Sequence, residues 1–165
     1  MSEIILSAEQ QLYQKRILSR WLFSFFMLLK LPMAWMAGLH ASVLTSKEAQ
    51  VQVKFKWMNQ NPFKSIYFAV LSMAAEMSTG LLVMMYIQDK SQQISMLVTG
   101  CQAQFTKKAV GTINFICVDG VRIYEAIELA KRSKEGVEMN LESVGYDQKQ
   151  QEVARFQFKW SVKVK

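Results

Sequence analysis

The chain has 165 residues, of which 51% are apolar and 20% are charged, and this composition excludes a wholly disordered protein. A chain of this length buries about 70% of its unfolded surface, so it needs no disulfide or metal ion to fold. Its 20 Lys and Arg against 13 Asp and Glu give a net charge of +7, which favours partners with negative charge. Two cysteines and one histidine exclude a disulfide framework and a His-clustered metal site, so we expect a cytoplasmic protein without a metal.

The first predicted element is an amphipathic helix from about residue 8 to residue 30, ended near Pro32. Its apolar positions recur at helical spacing: Ile17, Trp21, Phe25, Leu28 and Leu29. Arg20 and Lys30 enclose only nine uncharged residues, too few to cross a bilayer. We therefore expect this helix to pack against the rest of the domain, with docking on a membrane surface as the alternative.

A second apolar stretch covers residues 65–88, which are 24 residues with a single charge, Glu76. Its length would permit a membrane span. The charge near its middle and the strand-like sequence on both sides favour a helix buried at the centre of a soluble fold.

Most of the remaining chain predicts β-strands, over residues 39–44, 48–57, 94–105, 112–118, 137–144 and 153–164. Residues 48–57 and 153–164 alternate apolar and polar side chains, which is typical of an antiparallel sheet with one buried face. A shorter amphipathic helix is predicted around residues 121–130. Because no linker rich in Pro, Gly or Ser divides the chain, we expect one domain over residues 1–165.

A helix without a polar face has to be covered on nearly every side, and a long antiparallel sheet that curls around it provides such cover. This pattern resembles the hotdog fold, an α+β architecture in which a curved antiparallel sheet wraps a central helix. It looks most like the phenylacetyl-CoA thioesterase-like branch of the acyl-CoA thioesterases, including members of unassigned function. The resemblance implies a hotdog core over residues 33–165, with residues 1–32 as an N-terminal helical extension.

The resemblance depends on the segment Asn61-Pro-Phe-Lys-Ser-Ile-Tyr-Phe-Ala69 and on Glu76. In the catalytic relatives, an Asn is followed after five residues by His-Gly-Gly at the start of the central helix, and an acid follows seven residues later. Asn61 and Glu76 match this motif, whereas Tyr67, Phe68 and Ala69 replace His-Gly-Gly. The replacement removes the close backbone approach that glycines allow.

The resemblance implies a role for each of these residues in thioester hydrolysis. Glu76 would be the general base or the nucleophile, and Asn61 would orient the acyl carbonyl or the water. The backbone N–H groups at Tyr67 and Phe68 would stabilise the oxyanion, because the first N–H groups of a helix have no partner within it. Ser65 and Ser72 are further candidates for contact with the substrate.

One helix does not bring its own start and its own acid together. Glu76 lies about 12 Å along the helix from the N–H of Phe68, at about 1.5 Å per residue. In the resembled family, the helix start of one subunit faces the acid of the other. The resemblance therefore implies a homodimer, or a homotetramer built as a dimer of dimers.

Three functions stay open at this point. The first is hydrolysis of an acyl thioester of coenzyme A or of a carrier protein, with coenzyme A present only as part of the substrate and no other cofactor. The second is binding of acyl-CoA or fatty-acyl groups without cleavage, in which Glu76 would hydrogen-bond a ligand or form an ion pair. The third is a peripheral membrane protein that uses residues 21–31. Nucleic acid is not expected as a partner, because the aromatic residues alternate onto the buried strand faces.

Overall fold

The computed structural model describes residues 4–88 and 92–165. This part of the chain contains five α-helices: α1 (Ala8–Leu18), α2 (Arg20–Lys30), α3 (Pro32–Ala37), α4 (Phe68–Tyr86) and α5 (Gly120–Ser133). It also contains six β-strands: β1 (His40–Leu44), β2 (Ala49–Lys54), β3 (Ile94–Phe105), β4 (Thr112–Cys117), β5 (Val137–Tyr146) and β6 (Glu152–Val164).

The six strands form one antiparallel sheet in the order β1-β2-β4-β5-β6-β3. Along β6, buried and more exposed residues alternate, so its apolar side chains share one face of the sheet. The sheet curves, and α4 packs against β2, β4, β5 and β6 on that face. The predicted α+β fold, a curved antiparallel sheet around a long apolar helix, is confirmed.

Helix α4 is apolar around most of its circumference, which is why it lies in the core. Its 19 residues have the length and composition of a membrane span, but most of them are buried inside the protein. Leu82, Val83 and Met85 are fully buried. The less buried residues of α4 lie towards its N-terminal half, and Glu76 is among them.

Helix α5 covers a gap in the sheet. β4 and β5 pair only from Asn114 to Ile116, so the first part of β5 has no neighbour on that side. The Asp119 carboxylate accepts the N–H of Glu142 at 2.8 Å, and the Arg122 guanidinium donates to the carbonyl oxygen of Asn140 at 2.9 Å. The start of α5 thus satisfies backbone groups that would otherwise lack a partner.

The N-terminal region differs from the single helix predicted over residues 8–30. The chain has extended backbone angles at Ser19, which separates α1 from α2. Helix α2 ends at Lys30 as predicted, and Pro32 begins a further short helix, α3. Proline is tolerated at the first position of a helix because that N–H has no partner within the helix.

The break also changes which face of α2 packs inward. Phe23 and Met27 are buried in the protein. Of the apolar residues predicted to pack inward, Ile17 is buried and the others are exposed. These exposed residues are Trp21, Phe25, Leu28 and Leu29. The predicted orientation is wrong for α2, because the prediction assumed one continuous helix, whereas the helix is interrupted at Ser19.

The predicted strand over residues 48–57 ends earlier, at Lys54. Trp57 begins a short 3-10 turn and its side chain is 82% exposed, so it does not share the buried face of β2. The buried side chain of Asn59 accepts the N–H of Lys56 at 2.8 Å and donates to the carbonyl oxygen of Lys54 at 2.9 Å. These bonds replace the sheet bonds and turn the chain away from the strand.

Candidate active site

The loop before α4 is held together by the side chain of Asn61. Its carbonyl oxygen accepts the N–H groups of Phe63 (2.9 Å) and Ser65 (3.2 Å), and its amide donates to the Ser65 hydroxyl at 3.0 Å. Ser65 is only 5% exposed. The polar atoms of Asn61 and Ser65 are thus engaged with one another inside the loop, which is the geometry of an Asx turn.

The start of α4 presents two backbone N–H groups that make no hydrogen bond within the described part of the chain. Tyr67 is the N-cap residue, and its side chain makes no capping bond. The N–H of Tyr67 donates to the carbonyl oxygen of Asn59 at 2.8 Å, so it is already engaged. The free N–H groups belong to Phe68 and Ala69, the first two residues of the helix. The pair of candidate oxyanion donors is therefore one residue further along than predicted.

Glu76 lies two turns further along, on the less buried stripe of α4 with Phe68, Ser72 and Met73. Over residues 4–88 and 92–165, its carboxylate makes no hydrogen bond or ion pair. Ser72 does not hydrogen-bond to it, although the two are four residues apart. Burial raises the pKa of the Glu76 carboxyl above its ordinary value. A carboxylate without a partner and with a raised pKa is a stronger base than an ordinary carboxylate, as a general base requires.

The backbone of Gly80 leaves room for this carboxylate. A Cβ placed on Gly80 would stand 3.3 Å from Oε1 of Glu76 and 3.5 Å from the ring of Trp160. The Glu76 side chain therefore reaches along α4 towards its C-terminal end, as far as Gly80 one turn on. The role of Gly80 was not predicted from the sequence, and its spacing of four residues from Glu76 was the available signal.

An apolar strip adjoins the free N–H groups. Phe68 and Phe105 are 55% and 50% exposed, and their ring centroids lie 6.3 Å apart in an edge-to-face arrangement. The Phe105 ring also contacts the buried ring of Phe156, with centroids 5.6 Å apart. Phe105 ends β3, one of the two edge strands, where Cys101 and Ala103 are also exposed. From the sequence, Phe105 was predicted only as part of a strand, because residues 94–105 lack a clear alternation of apolar and polar side chains.

The polar face of the sheet carries a separate groove of about 790 Å³, which is lined by Gln102, Gln157, Glu142 and Lys159 among others. Lys159 pairs with Glu138 at 2.6 Å, and Glu142 pairs with Arg155. Glu76 does not line this groove. No group of three or more His, Cys, Asp or Glu is placed to hold a metal ion in the described residues.

Solved structures share this architecture over nearly the whole chain. A Pseudomonas aeruginosa protein of unknown function, described as a probable thioesterase, is 19% identical, with a TM-score of 0.74 over 97% of this chain and 99% of its own. A Chlorobaculum tepidum protein of unknown function is 16% identical, with a TM-score of 0.74 over 94% and 96%. A second P. aeruginosa protein, crystallised as a Q49A variant of a thioesterase, is 10% identical, with a TM-score of 0.62 over 81% and 86%.

The fold and these similarities define a protein of the hotdog fold, whose solved structural neighbours include probable thioesterases. The chain belongs to the family described as domain of unknown function DUF4442, whose profile matches residues 19–162. No curated protein sequence matches the chain.

Proposed function

We propose that this protein hydrolyses an acyl thioester, of coenzyme A or of a carrier protein, in the cytoplasm. The observation that carries this proposal is Glu76: a partly buried carboxylate on an apolar helix, with no partner among the described residues. Glu76 lies on the same stripe of α4 as Phe68. Phe68 is the first residue of the helix, where two N–H groups are free. A structural carboxylate at such depth would be expected to have an ion-pair or hydrogen-bond partner.

In this mechanism the N–H groups of Phe68 and Ala69 bind the thioester carbonyl oxygen. Glu76 removes a proton from water as the water oxygen attacks the carbonyl carbon, and negative charge develops on the bound oxygen. The N–H groups stabilise that charge. When the tetrahedral intermediate collapses, the carbon–sulfur bond breaks and Glu76 returns the proton to the thiolate. The exposed rings of Phe68 and Phe105 provide an apolar surface for the acyl group.

The two halves of this site come from two copies of the chain. The Phe68 N–H and Glu76 are separated by about 12 Å along one helix, too far for one carbonyl group to contact both. The outer side of β3 is an unpaired sheet edge, and its Leu97 is 65% exposed. A dimer formed across β3 and the exposed stripe of α4 would cover these apolar residues and bring the Glu76 of one copy towards the Phe68 of the other.

The test is thiol release from a series of acyl-CoA and acyl-carrier substrates by the full-length protein. Glu76→Gln keeps the shape of the side chain but cannot accept the proton, so we expect turnover to fall by about 10²–10⁴-fold. Glu125→Gln, at an exposed position on α5, is the matched control and should behave as the native protein. Native turnover in Glu76→Gln would refute the proposed role of Glu76.

Phe68→Pro tests the proposed oxyanion donor. It removes one free N–H at the first helical position, where proline is tolerated, and Tyr67 already has the extended angles that precede proline. Phe68→Ala controls for loss of the ring, because it keeps the N–H. Turnover should fall in Phe68→Pro well below that in Phe68→Ala.

Mixing the two inactive variants tests the shared site. A dimer of one Glu76→Gln chain and one Phe68→Pro chain contains one intact site, and random mixing makes half of all dimers mixed. Activity should therefore return to about a quarter of the native value. A mixture that stays inactive after subunit exchange would contradict a site shared between two chains.

Binding of acyl groups without cleavage is the second candidate, and the Phe68 side chain favours it. A glycine at this position would leave the helix start open, whereas the 55% exposed ring of Phe68 lies at the free N–H groups. This function predicts that the native protein binds a non-hydrolysable acyl-CoA analogue in calorimetry and releases no thiol from the matching acyl-CoA.

A further inference from the structure

The outer side of α2 is apolar, which is the reverse of an ordinary surface helix. Six of its 11 residues are large apolar side chains that are exposed: Trp21, Leu22, Phe25, Phe26, Leu28 and Leu29. At about 100° per residue they form one continuous face opposite the buried Phe23 and Met27. On the next helix, Met33 and Met36 are 66% and 44% exposed. We call these exposed apolar residues of α2 and α3 the α2–α3 surface.

The α2–α3 surface is built on a fixed frame. The indole N–H of Trp35 in α3 donates to the hydroxyl of Ser24 in α2 at 3.0 Å, and Phe23 and Met27 anchor α2 in the core. The two helices therefore present their apolar residues together. An exposed apolar area of this size usually marks an interaction site.

The segment of the chain that forms this surface carries basic residues and no acidic ones. Between Glu9 and Glu48 the chain has no acidic residue, while it has five basic ones: Lys15, Arg16, Arg20, Lys30 and Lys47. On α2, Arg20 and Lys30 lie on either side of the apolar face. Such an arrangement, an apolar face bordered by cations, is typical of helices that lie in the headgroup region of a membrane.

A groove of about 550 Å³ between α2, α3 and β1 adds a place for an anionic headgroup. Arg20, Lys56 and His40 line it together with apolar residues of α2 and α3. Burial, together with the positive charges of Arg20 and Lys56, lowers the pKa of His40, as expected where cationic groups converge. The groove therefore suits a phosphate group whose acyl chains continue onto the α2–α3 surface.

We propose that the protein docks peripherally on anionic phospholipid membranes through the α2–α3 surface. A second copy of the chain is disfavoured as the occupant, because two such faces would bring like charges together. The surface lies beside β1, at the opposite edge of the sheet from β3. Membrane docking is therefore compatible with a dimer formed across β3, and it does not depend on thioester hydrolysis.

The test is flotation of the full-length protein with vesicles of phosphatidylcholine alone and with vesicles that also contain an equal amount of phosphatidylglycerol. We expect binding to the anionic vesicles, weakened by salt, and little binding to phosphatidylcholine alone. Trp21→Ser combined with Phe25→Ser should reduce binding by at least about tenfold, since both side chains would enter the bilayer interface. Arg20→Gln combined with Lys30→Gln should reduce binding to the anionic vesicles.

Matched controls use exposed residues elsewhere. Val118→Ser combined with Leu129→Ser removes two exposed apolar side chains, and Lys163→Gln removes one exposed charge; both should bind as the native protein does. No binding of native protein to anionic vesicles, or unchanged binding after Trp21→Ser with Phe25→Ser, would overturn the proposal. A third result would also overturn it: the native protein does not bind vesicles, and the variant with Trp21 and Phe25 replaced has a lower molar mass in light scattering than the native protein. The surface would then join two copies of the chain.

Discussion

The indole Nε1 of Trp160 on β6 donates a hydrogen bond of 3.0 Å to the buried hydroxyl of Thr79 on α4. That hydroxyl donates in turn to the carbonyl oxygen of Glu76 at 2.9 Å. The sheet is thus connected through one threonine to the helical turn that carries the proposed catalytic acid.

Thr79→Val should destabilise the protein by about 1–3 kcal/mol. Valine has nearly the same shape, but it leaves the buried N–H of Trp160 without an acceptor. Thr99→Val, at an exposed position on β3, should change stability by less than about 0.5 kcal/mol. Denaturant unfolding measures both, and equal stability of the two variants would contradict this account of Thr79.

Gly80→Ala should separate activity from stability. Alanine is more favourable than glycine within a helix by about 0.5–1 kcal/mol, so the free energy of unfolding should not decrease. Its Cβ would stand 3.3 Å from Oε1 of Glu76 and would displace the flexible carboxylate by a few tenths of an ångström. We expect roughly tenfold slower thiol release with an unchanged melting temperature or a higher one. Gly136→Ala is the control, since a Cβ there would meet nothing within 4 Å.

Glu76→Gln should make the protein more stable at neutral and alkaline pH. Burial raises the pKa of Glu76, so the folded protein holds this proton more tightly than the unfolded chain does. The contribution of this protonated carboxyl to the free energy of unfolding is fully present below the pKa of Glu in the unfolded chain, about 4.3. It is lost as the pH rises through the higher pKa that Glu76 has in the folded protein. The advantage of Glu76→Gln in melting temperature should therefore be largest at about pH 8 and shrink on acidification. If the advantage of Glu76→Gln in melting temperature grew towards acid pH, the pKa of Glu76 would not be raised by folding, and this prediction would be wrong.

Gly120→Ala should destabilise the protein by about 2–3 kcal/mol. A Cβ on Gly120 would come within 2.2 Å of the carbonyl oxygen of Ser46 and 2.7 Å of Lys47, both of them backbone contacts that cannot rotate away. The N–H of Gly120 also donates to the carbonyl oxygen of Lys47 at 3.0 Å, which fixes the approach. Thermal unfolding of Gly120→Ala beside Gly136→Ala measures the difference; equal melting temperatures would contradict this close approach.

The sequence by itself determined the layers of the fold. Alternation with a period of two follows from the pleat of a strand, and it placed β2 and β6 with their apolar sides inward. A helix with one charge in 24 residues had to be central, because no face of it could be left in water. The spacing from Asn61 to Glu76 depends only on positions along one segment, so it was visible in the sequence as well.

The tertiary structure alone decided which groups are free and which faces are exposed. The N–H of Tyr67 is hydrogen-bonded because folding brings the carbonyl oxygen of Asn59 to it. The rings of Phe68 and Phe105 are in contact although the two residues lie far apart in the sequence. Local patterns carry no information on such contacts. The orientation of α2 follows the break at Ser19 for the same reason: a helical period predicts which residues share a face, but only packing selects the face that is buried.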